Sequence, residues 1–256
     1  MIDAHVHLER LQELDACLDR ARSAGLKGFL VPSVGPETWP AQTDIAASHS
    51  DVRVAYGIHP WAAARLSDNA RLECLSSLRK QVSQHRPVAL GEMGLDHHSS
   101  FPPHTHSSQE KSFVAQLAMA HLFDLPIVLH VVRAHGRCLD ILRDMGVPHS
   151  GGMVHSFSGS PEVAKRYVDL GLHISFSGNL TKPHHKKARI AATSVPLDRI
   201  LVETDSPDQL PKGRMSEQNE PAFLVDVIEA LSVLRGELSL DVAAQTEQNA
   251  RKLFGF

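Results

Sequence analysis

The chain contains few cysteines, and they do not form a recognisable framework. Its 256 residues include only Cys17, Cys74 and Cys138, which are far apart and form no CxxC pair. An odd number of dispersed cysteines argues against a disulfide scaffold and predicts a reduced, cytoplasmic protein. We expect the three thiols to be inert core residues.

Long apolar runs and a strong charge of one sign are also missing. No stretch reaches the 18 or so apolar residues of a membrane-spanning helix, and the segment from Met1 to His5 lacks a basic region followed by an apolar one. The sequence therefore predicts a protein that is neither exported nor membrane-spanning. A net charge of −3 gives no global attraction to nucleic acid, so an anionic substrate would need local cations or bound metal.

Short runs rich in Val, Ile and Leu recur along the whole chain and alternate with segments of helical apolar spacing. This alternation is typical of βα units around a parallel sheet, and the length suits one (β/α)8 TIM barrel, predicted as a single domain over residues 1–256. The eight predicted strands are Met1–Val6, Gly28–Val34, Val52–Ile58, Pro87–Met93, Leu125–Val131, Gly152–Phe157, Leu172–Phe176 and Arg199–Thr204.

Helix signals lie between and after these runs. Ser160 is a suitable N-cap, Pro161 fits the first helical position, and Gly171 fits the end of the same helix. The other predicted helices are Leu11–Ala24, closed by Gly25, then Gln109–Phe123, Pro221–Leu234 and Ser239–Leu253.

Two histidines follow each other at a spacing of two in the first strand. Strand alternation would point the imidazoles of His5 and His7 to the same side, which is how an HxH metal pair is built. Taken alone, the pair fits hydrogen-bonded polar residues at a strand end equally well.

Other predicted strands carry metal-type residues at the same end, namely Glu92, His130, His155 and Asp205. In a barrel, the carboxyl ends of the strands meet at one face, where active sites form. A structural polar terminus explains any one of these residues, but it poorly explains all of them at equivalent positions.

Four histidines and two carboxylates suit Zn²⁺, Mn²⁺ or Mg²⁺, and they are too many for one tetrahedral ion. They divide into two sites, with His5, His7 and Asp205 on one metal, His130 and His155 on the other, and Glu92 bridging both. Two ions roughly 3.5–4 Å apart can share a hydroxide and polarise a phosphoryl oxygen. Phosphoester hydrolysis is therefore the leading chemistry.

Motifs spread from residue 3 to residue 254 resemble those of the TatD family of metal-dependent deoxyribonucleases, within the amidohydrolase-like barrels. The resemblance implies a divalent-metal nuclease acting on DNA, often a 3′ to 5′ exonuclease, with the same two-metal assignment. The matching segments are Asp3-Ala-His-Val-His, Tyr56-Gly-Ile-His-Pro-Trp, Gly91-Glu-Met-Gly-Leu-Asp, Leu129-His, Val154-His-Ser-Phe-Ser-Gly, Glu203-Thr-Asp-Ser-Pro, Asn219-Glu-Pro and Asn249-Ala.

Two residues are predicted to act directly in the reaction beside the bridging Glu92. The resemblance implies that Asp205 serves as a ligand, as the base for the attacking water, or as both. His59, within a family motif, is predicted to contact the scissile phosphate or the leaving group. The alternative for His59 is a structural role in a turn fixed by Pro60.

Substrate phosphates need cations outside the metal centre. We expect Lys182 and Arg214, in the loops after the seventh and eighth strands, to hold flanking phosphates. Lys186, Lys187 and Arg189 fit a solvated helix face instead. Family members commonly carry an arginine two positions after the histidine of the fifth strand, whereas Arg133 lies three positions after His130, which weakens the substrate assignment.

The expected partners are DNA ends, with RNA as an open alternative, handled without sequence preference by a monomer. Aromatic residues are scarce, and only Trp61 and Phe157 stand where they could stack on a base. Two other readings stay open. One is hydrolysis of another ester or an amide, for example deacylation of misacylated tRNA, although Glu92 at the bridging position argues against it. The other is a non-catalytic barrel that binds metal or nucleic acid, although the complete ligand set argues against that.

Overall fold

The computed structural model describes residues 1–256, and its centre is one sheet of eight parallel strands in chain order. Beyond the paired residues of the first and last strands, the N–H of Ala4 donates to the carbonyl of Val202 at 3.0 Å and closes the sheet on itself. The predicted (β/α)8 barrel is confirmed. The strands are β1 Ile2–Asp3, β2 Gly28–Pro32, β3 Val52–Tyr56, β4 Ala89–Asp96, β5 Ile127–Val132, β6 Gly152–Val154, β7 His173–Phe176 and β8 Ile200–Val202.

Helices surround the sheet, and the one that follows β6 begins at the residues predicted for it. The hydroxyl of Ser160 accepts a hydrogen bond from the N–H of Val163, with Pro161 in the first turn, as predicted. The helices are α1 Leu14–Ser23, α2 Trp39–Ser48, α3 Pro60–Ala63, α4 Asp68–His85, α5 His106–Phe123, α6 His135–Met145, α7 Pro161–Asp169, α8 Lys186–Ser194, α9 Leu224–Arg235 and α10 Ser239–Phe254.

Two apolar clusters hold the layers together. The larger, of 49 buried residues, lies between the strands and the helices. The smaller, of 10 residues, takes alternate positions of the strands, such as Leu30 between Phe29 and Val31, and therefore fills the barrel interior. Phe254 of α10 also belongs to this inner cluster.

Strand alternation carries the inner face on to the mouth of the barrel. His130 lies two residues after Val128, and His155 two residues after Met153, both of which belong to the inner cluster. Along the last strand, Asp205 lies four residues after Leu201, beyond the end of β8. The polar groups thus cap the apolar interior at the carboxyl ends of the strands.

The cysteines are buried and unpaired, as expected of core residues. None of the helices combines the length and the apolar character needed to cross a membrane.

Candidate metal centre

The structure brings all six predicted ligands into one buried cluster at the barrel mouth. None of these residues is more than 8% exposed, and His59 joins them at 2%. Three overlapping groups have potential ligand atoms within 4.8 Å of one another. They are His5, His155 and Asp205; His5, His7 and Glu92; and His59, Glu92 and His130.

Two glycines allow Glu92 to reach the centre of this cluster. Gly91 and Gly94 have φ values of 146° and 136°, which other residues rarely adopt. A Cβ on Gly91 would lie 2.6 Å from the carbonyl oxygen of Val128, and one on Gly94 would lie 2.2 Å from that of His130. The register of β4 against β5 shifts between Leu90 and Met93, the segment that contains Gly91 and Glu92.

One carboxylate oxygen of Glu92 faces three imidazoles, of which two belong to predicted ligands. Its Oε1 lies 2.9 Å from Nδ1 of His130 and 2.8 Å from Nε2 of His155. The far nitrogens of these rings donate to carboxylates, Nε2 of His130 to Asp96 at 3.0 Å and Nδ1 of His155 to Glu203 at 3.3 Å. In the neutral tautomer this arrangement leaves an unprotonated nitrogen pointing into the cluster, as in metal-ligating histidines.

The other oxygen of Glu92 faces a different set of groups. Its Oε2 lies 3.4 Å from Nε2 of His5 and 4.0 Å from Nε2 of His7. Asp205 Oδ1 lies 3.6 Å from each of these two nitrogens. Its second oxygen accepts a hydrogen bond from the side-chain amide of Gln209, so one oxygen is held while the other faces the cluster.

Several buried polar atoms of the cluster have no hydrogen-bond partner. Both ring nitrogens of His5 and Nδ1 of His7 are orphaned although the rings are buried. Such groups are costly to bury without a partner. Imidazole nitrogens and carboxylate oxygens turned inward at these distances are a donor set that fits divalent cations.

The ionisation of the two acidic groups differs. Burial alone would raise the pKa of Glu92, but the imidazoles of His155, His59 and His5 outweigh it and hold the pKa well below its usual range. Burial raises the pKa of Asp205, and His5 and His155 offset this only in part. Glu92 is thus firmly ionised, whereas Asp205 more readily accepts a proton.

His59 is fixed as a hydrogen-bond donor toward the cluster. Its Nδ1 accepts a hydrogen bond from the backbone N–H of Trp61 at 3.0 Å. The ring proton of the neutral form is therefore on Nε2, which lies 3.2 Å from Glu92 Oε1. Burial lowers the pKa of His59 to about 4, with His130 adding to the effect against the attraction of Glu92. The ring therefore stays neutral near pH 7.

The predicted substrate cations lie in three different settings. Nζ of Lys182 donates to Asn179 Oδ1 at 2.8 Å. The guanidinium of Arg214 makes two hydrogen bonds to Asp226, at 2.6 and 2.9 Å, and lies over the ring of Phe223. Arg133 is exposed in the bend after β5, where its φ is 54°.

Sequence reasoning missed two supporting carboxylates and misplaced one ring. Asp96 and Glu203 lie in motifs that were recognised, but no role followed for them from spacing alone. Since Glu203 precedes Asp205 by two residues, strand alternation could have identified it as a deeper group on the same face. The suggestion that Phe157 stacks on a base is wrong, because this residue is 3% exposed and its ring packs against Tyr167 and Phe176.

Comparison with known proteins gives a consistent result. A family model described as TatD related DNase matches residues 2–255. The chain is 33% identical to the Escherichia coli K12 protein called uncharacterized metal-dependent hydrolase YcfH, over 99% of this chain and 95% of that protein. It is 34% identical to the 3′-5′ ssDNA/RNA exonuclease TatD of Klebsiella pneumoniae, over 100% of this chain and 98% of the relative.

A solved structure agrees over nearly all of its length. The crystal structure of YJJV, a TatD homologue of E. coli K12, superimposes with a TM-score of 0.90 at 31% sequence identity. The match covers 100% of this chain and 98% of the other.

Proposed function

The chain belongs to the TatD related DNase family of metal-dependent hydrolases, and from this premise we propose that it is a two-metal phosphodiesterase that removes nucleotides from DNA ends in the 3′ to 5′ direction. The relative named as an exonuclease acts on single-stranded DNA and RNA. We propose the same class of substrate, nucleic acid with a free end, for this chain.

The observation that carries the proposal is the position of Glu92. Its two carboxylate oxygens face separate sets of ligand atoms, His130 and His155 on one side and His5 and His7 on the other. We assign Glu92 as the bridge between two divalent cations, Mg²⁺, Mn²⁺ or Zn²⁺. Asp205 completes the set beside the first two histidines.

The bound cations would lower the pKa of a water molecule and neutralise charge on a phosphoryl oxygen. Asp205 is assigned as the group that takes the proton from the attacking water. Its raised pKa and its Oδ1, which faces the cluster, suit that task, while Gln209 holds the other oxygen in place. Burial of the cluster excludes bulk water and strengthens these interactions.

His59 is assigned to the substrate rather than to a metal. Its Nε2–H points into the cluster, and its Nδ1 is occupied by the N–H of Trp61. A neutral donor at this place can hydrogen-bond the scissile phosphate or the leaving oxygen. The remaining phosphate contacts are assigned to Lys182, Arg214 and Arg133.

The test is digestion of oligonucleotides labelled at the 5′ or the 3′ end, single- and double-stranded, by protein loaded with each divalent metal. The proposal predicts metal-dependent, stepwise shortening from the 3′ end. Glu92→Gln should abolish it while the protein stays folded, and Glu73→Gln, on the exposed face of α4, should behave as wild type. Faster turnover of a neutral ester or amide than of any oligonucleotide would contradict the proposal.

A further inference from the structure

An open cavity lies beside the metal centre and shares a wall with it. It encloses about 500 Å³ and is lined by Trp61 of α3, Phe101 of the segment between β4 and α5, and Val132 of β5. Asp96 and His130 form the wall toward the metal centre. We call this cavity the Trp61 pocket.

The pocket presents aromatic surface to solvent. Trp61 is 41% exposed, whereas Trp39, the only other tryptophan, is 5% exposed. The rings of Trp61 and Phe101 are nearly parallel, with an interplanar angle of 16° and centroids 6.2 Å apart. The exposed face of a large aromatic ring is a surface on which a flat ligand can stack.

The pocket is tied to the metal centre by one oxygen atom. Asp96 Oδ2 accepts the indole N–H of Trp61 at 2.7 Å and the Nε2–H of His130 at 3.0 Å. This shared contact fixes the orientation of an exposed indole and places it next to an assigned metal ligand. A flat group held against Trp61 would therefore lie next to the scissile bond.

We propose that the Trp61 pocket binds a nucleobase that adjoins the cleaved phosphodiester at an unpaired strand end. This inference rests on the proposed function. A base in a duplex is already stacked on its neighbours, so only a frayed or single-stranded end can place a base there. Arg65, exposed at the rim of the pocket, suits a nearby phosphate. Because most of the contact is with apolar ring faces, the site tolerates any base.

The first test uses single-stranded oligonucleotides with an abasic residue at the last or the penultimate position. For the wild-type metal-loaded enzyme, an abasic residue at one of these positions should lower kcat/KM about tenfold relative to the intact oligonucleotide. This is the typical contribution of one base stacked on an aromatic side chain. In Trp61→Ala and Phe101→Ala, kcat/KM for the intact substrate should fall to a similar extent. The further loss caused by an abasic residue should then largely disappear. Trp61→Phe should restore the penalty, and Leu240→Ala, exposed on α10, should keep it.

The outcomes separate the two proposals. Equal cleavage of intact and abasic ends by the wild type, or a penalty that persists in both alanine variants, overturns the pocket and leaves the nuclease proposal standing. No cleavage of any oligonucleotide by the wild type refutes the nuclease proposal.

The second test does not need turnover. Titration with thymidine 5′-monophosphate should quench the tryptophan fluorescence of the metal-loaded protein, whereas 2-deoxyribose 5-phosphate should not. Trp61→Phe should remove the nucleotide-dependent signal and leave only the emission of Trp39. Equal responses to the two probes, or quenching that survives in Trp61→Phe, would overturn the inference.

Discussion

Glu92 and the imidazoles around it cannot be understood without their neighbours, because each proposed ligand is held by a further group. Asp96 orients His130 and Glu203 orients His155, so in the neutral tautomer the ring protons point away from the cluster. Carboxylates in this position fix the tautomer and raise the basicity of the ligand.

Asp96→Asn tests this support. The amide retains the shape of the side chain but accepts weakly from Nε2 of His130, so we expect metal affinity to fall by about 10- to 100-fold. Isothermal titration with Mn²⁺ measures the change. Asp124→Asn, at the end of α5 and outside the site, serves as the control. An affinity equal to that of the control would show that the contact does not support a ligand.

His135 should make stability fall in acid. Burial lowers its pKa to about 4, below the roughly 6.5 of an unfolded histidine. Well above pH 6.5 the imidazole of His135 is neutral in both the folded and the unfolded chain. Between pH 6.5 and about 4 only the unfolded chain binds the proton, so the folded state loses stability as the pH falls. At pH 5 this amounts to about 2 kcal/mol.

Urea denaturation of His135→Gln at pH 7.5 and pH 5 provides the measurement. The variant lacks this penalty, so its stability relative to the wild type should improve by about 2 kcal/mol on acidification. His104→Gln, exposed before α5, should follow the wild type. A constant difference between His135→Gln and the wild type at both pH values would refute the argument.

At the scale of elements, β4 is the strand on which the site depends. It extends to Asp96, three residues past the predicted end at Met93, and its glycines let it approach β5 closely enough to deliver Glu92.

Gly94→Ala should disturb this approach. The added methyl would lie 2.2 Å from the carbonyl oxygen of His130, and the φ of 136° disfavours alanine. We expect a loss of about 1–3 kcal/mol in the free energy of unfolding, typical of overpacking, together with weaker metal binding. Guanidinium denaturation and metal titration test both effects.

Gly136→Ala is the matched control, because nothing lies within 4 Å of its added Cβ in α6. It should be as stable as the wild type or slightly more so. If Gly94→Ala behaved in the same way, the close approach of β4 to β5 would not be required.

The sequence predicted the strands well and their ends less well. Parallel strands buried on both faces appear as apolar runs, so all eight were found. The first was predicted over Met1–Val6 but is assigned only at Ile2–Asp3, since the chain beyond it turns His5 and His7 into the mouth. A polar site residue can lie within the last paired positions of a strand or just beyond them. Residue propensities therefore do not show where the strand ends.

The positions of the proposed ligands could be predicted because each repeats the same rule, a metal-type residue at the carboxyl end of a strand. The groups that surround and support these residues could not be predicted in this way. Phe101 lies in a loop whose path no periodicity records, and its place opposite Trp61 depends on how that loop folds back on α3.

At the scale of the whole molecule, a net charge of −3 leaves affinity for a polyanion to local cations. Arg133 makes no ion pair in the structure, whereas Arg214 is already engaged by Asp226. We therefore expect Arg133→Ala to reduce the salt slope of DNA affinity by roughly one phosphate contact, and Arg214→Ala and Lys182→Ala to reduce it less.

Binding of a cleavage-resistant phosphorothioate oligonucleotide at several salt concentrations measures these slopes. Lys186→Ala, on the exposed face of α8, is the control and should leave the slope unchanged. Slopes that are equal in all four variants would remove these three residues from the substrate path.

The most direct measurement of the central claim is anomalous diffraction from crystals of the protein loaded with Mn²⁺. We predict two peaks roughly 3.5–4 Å apart on either side of the Glu92 carboxylate. One should lie against His5, His7 and Asp205, and the other against His130 and His155. A single peak, or peaks outside this cluster, would contradict the two-metal account.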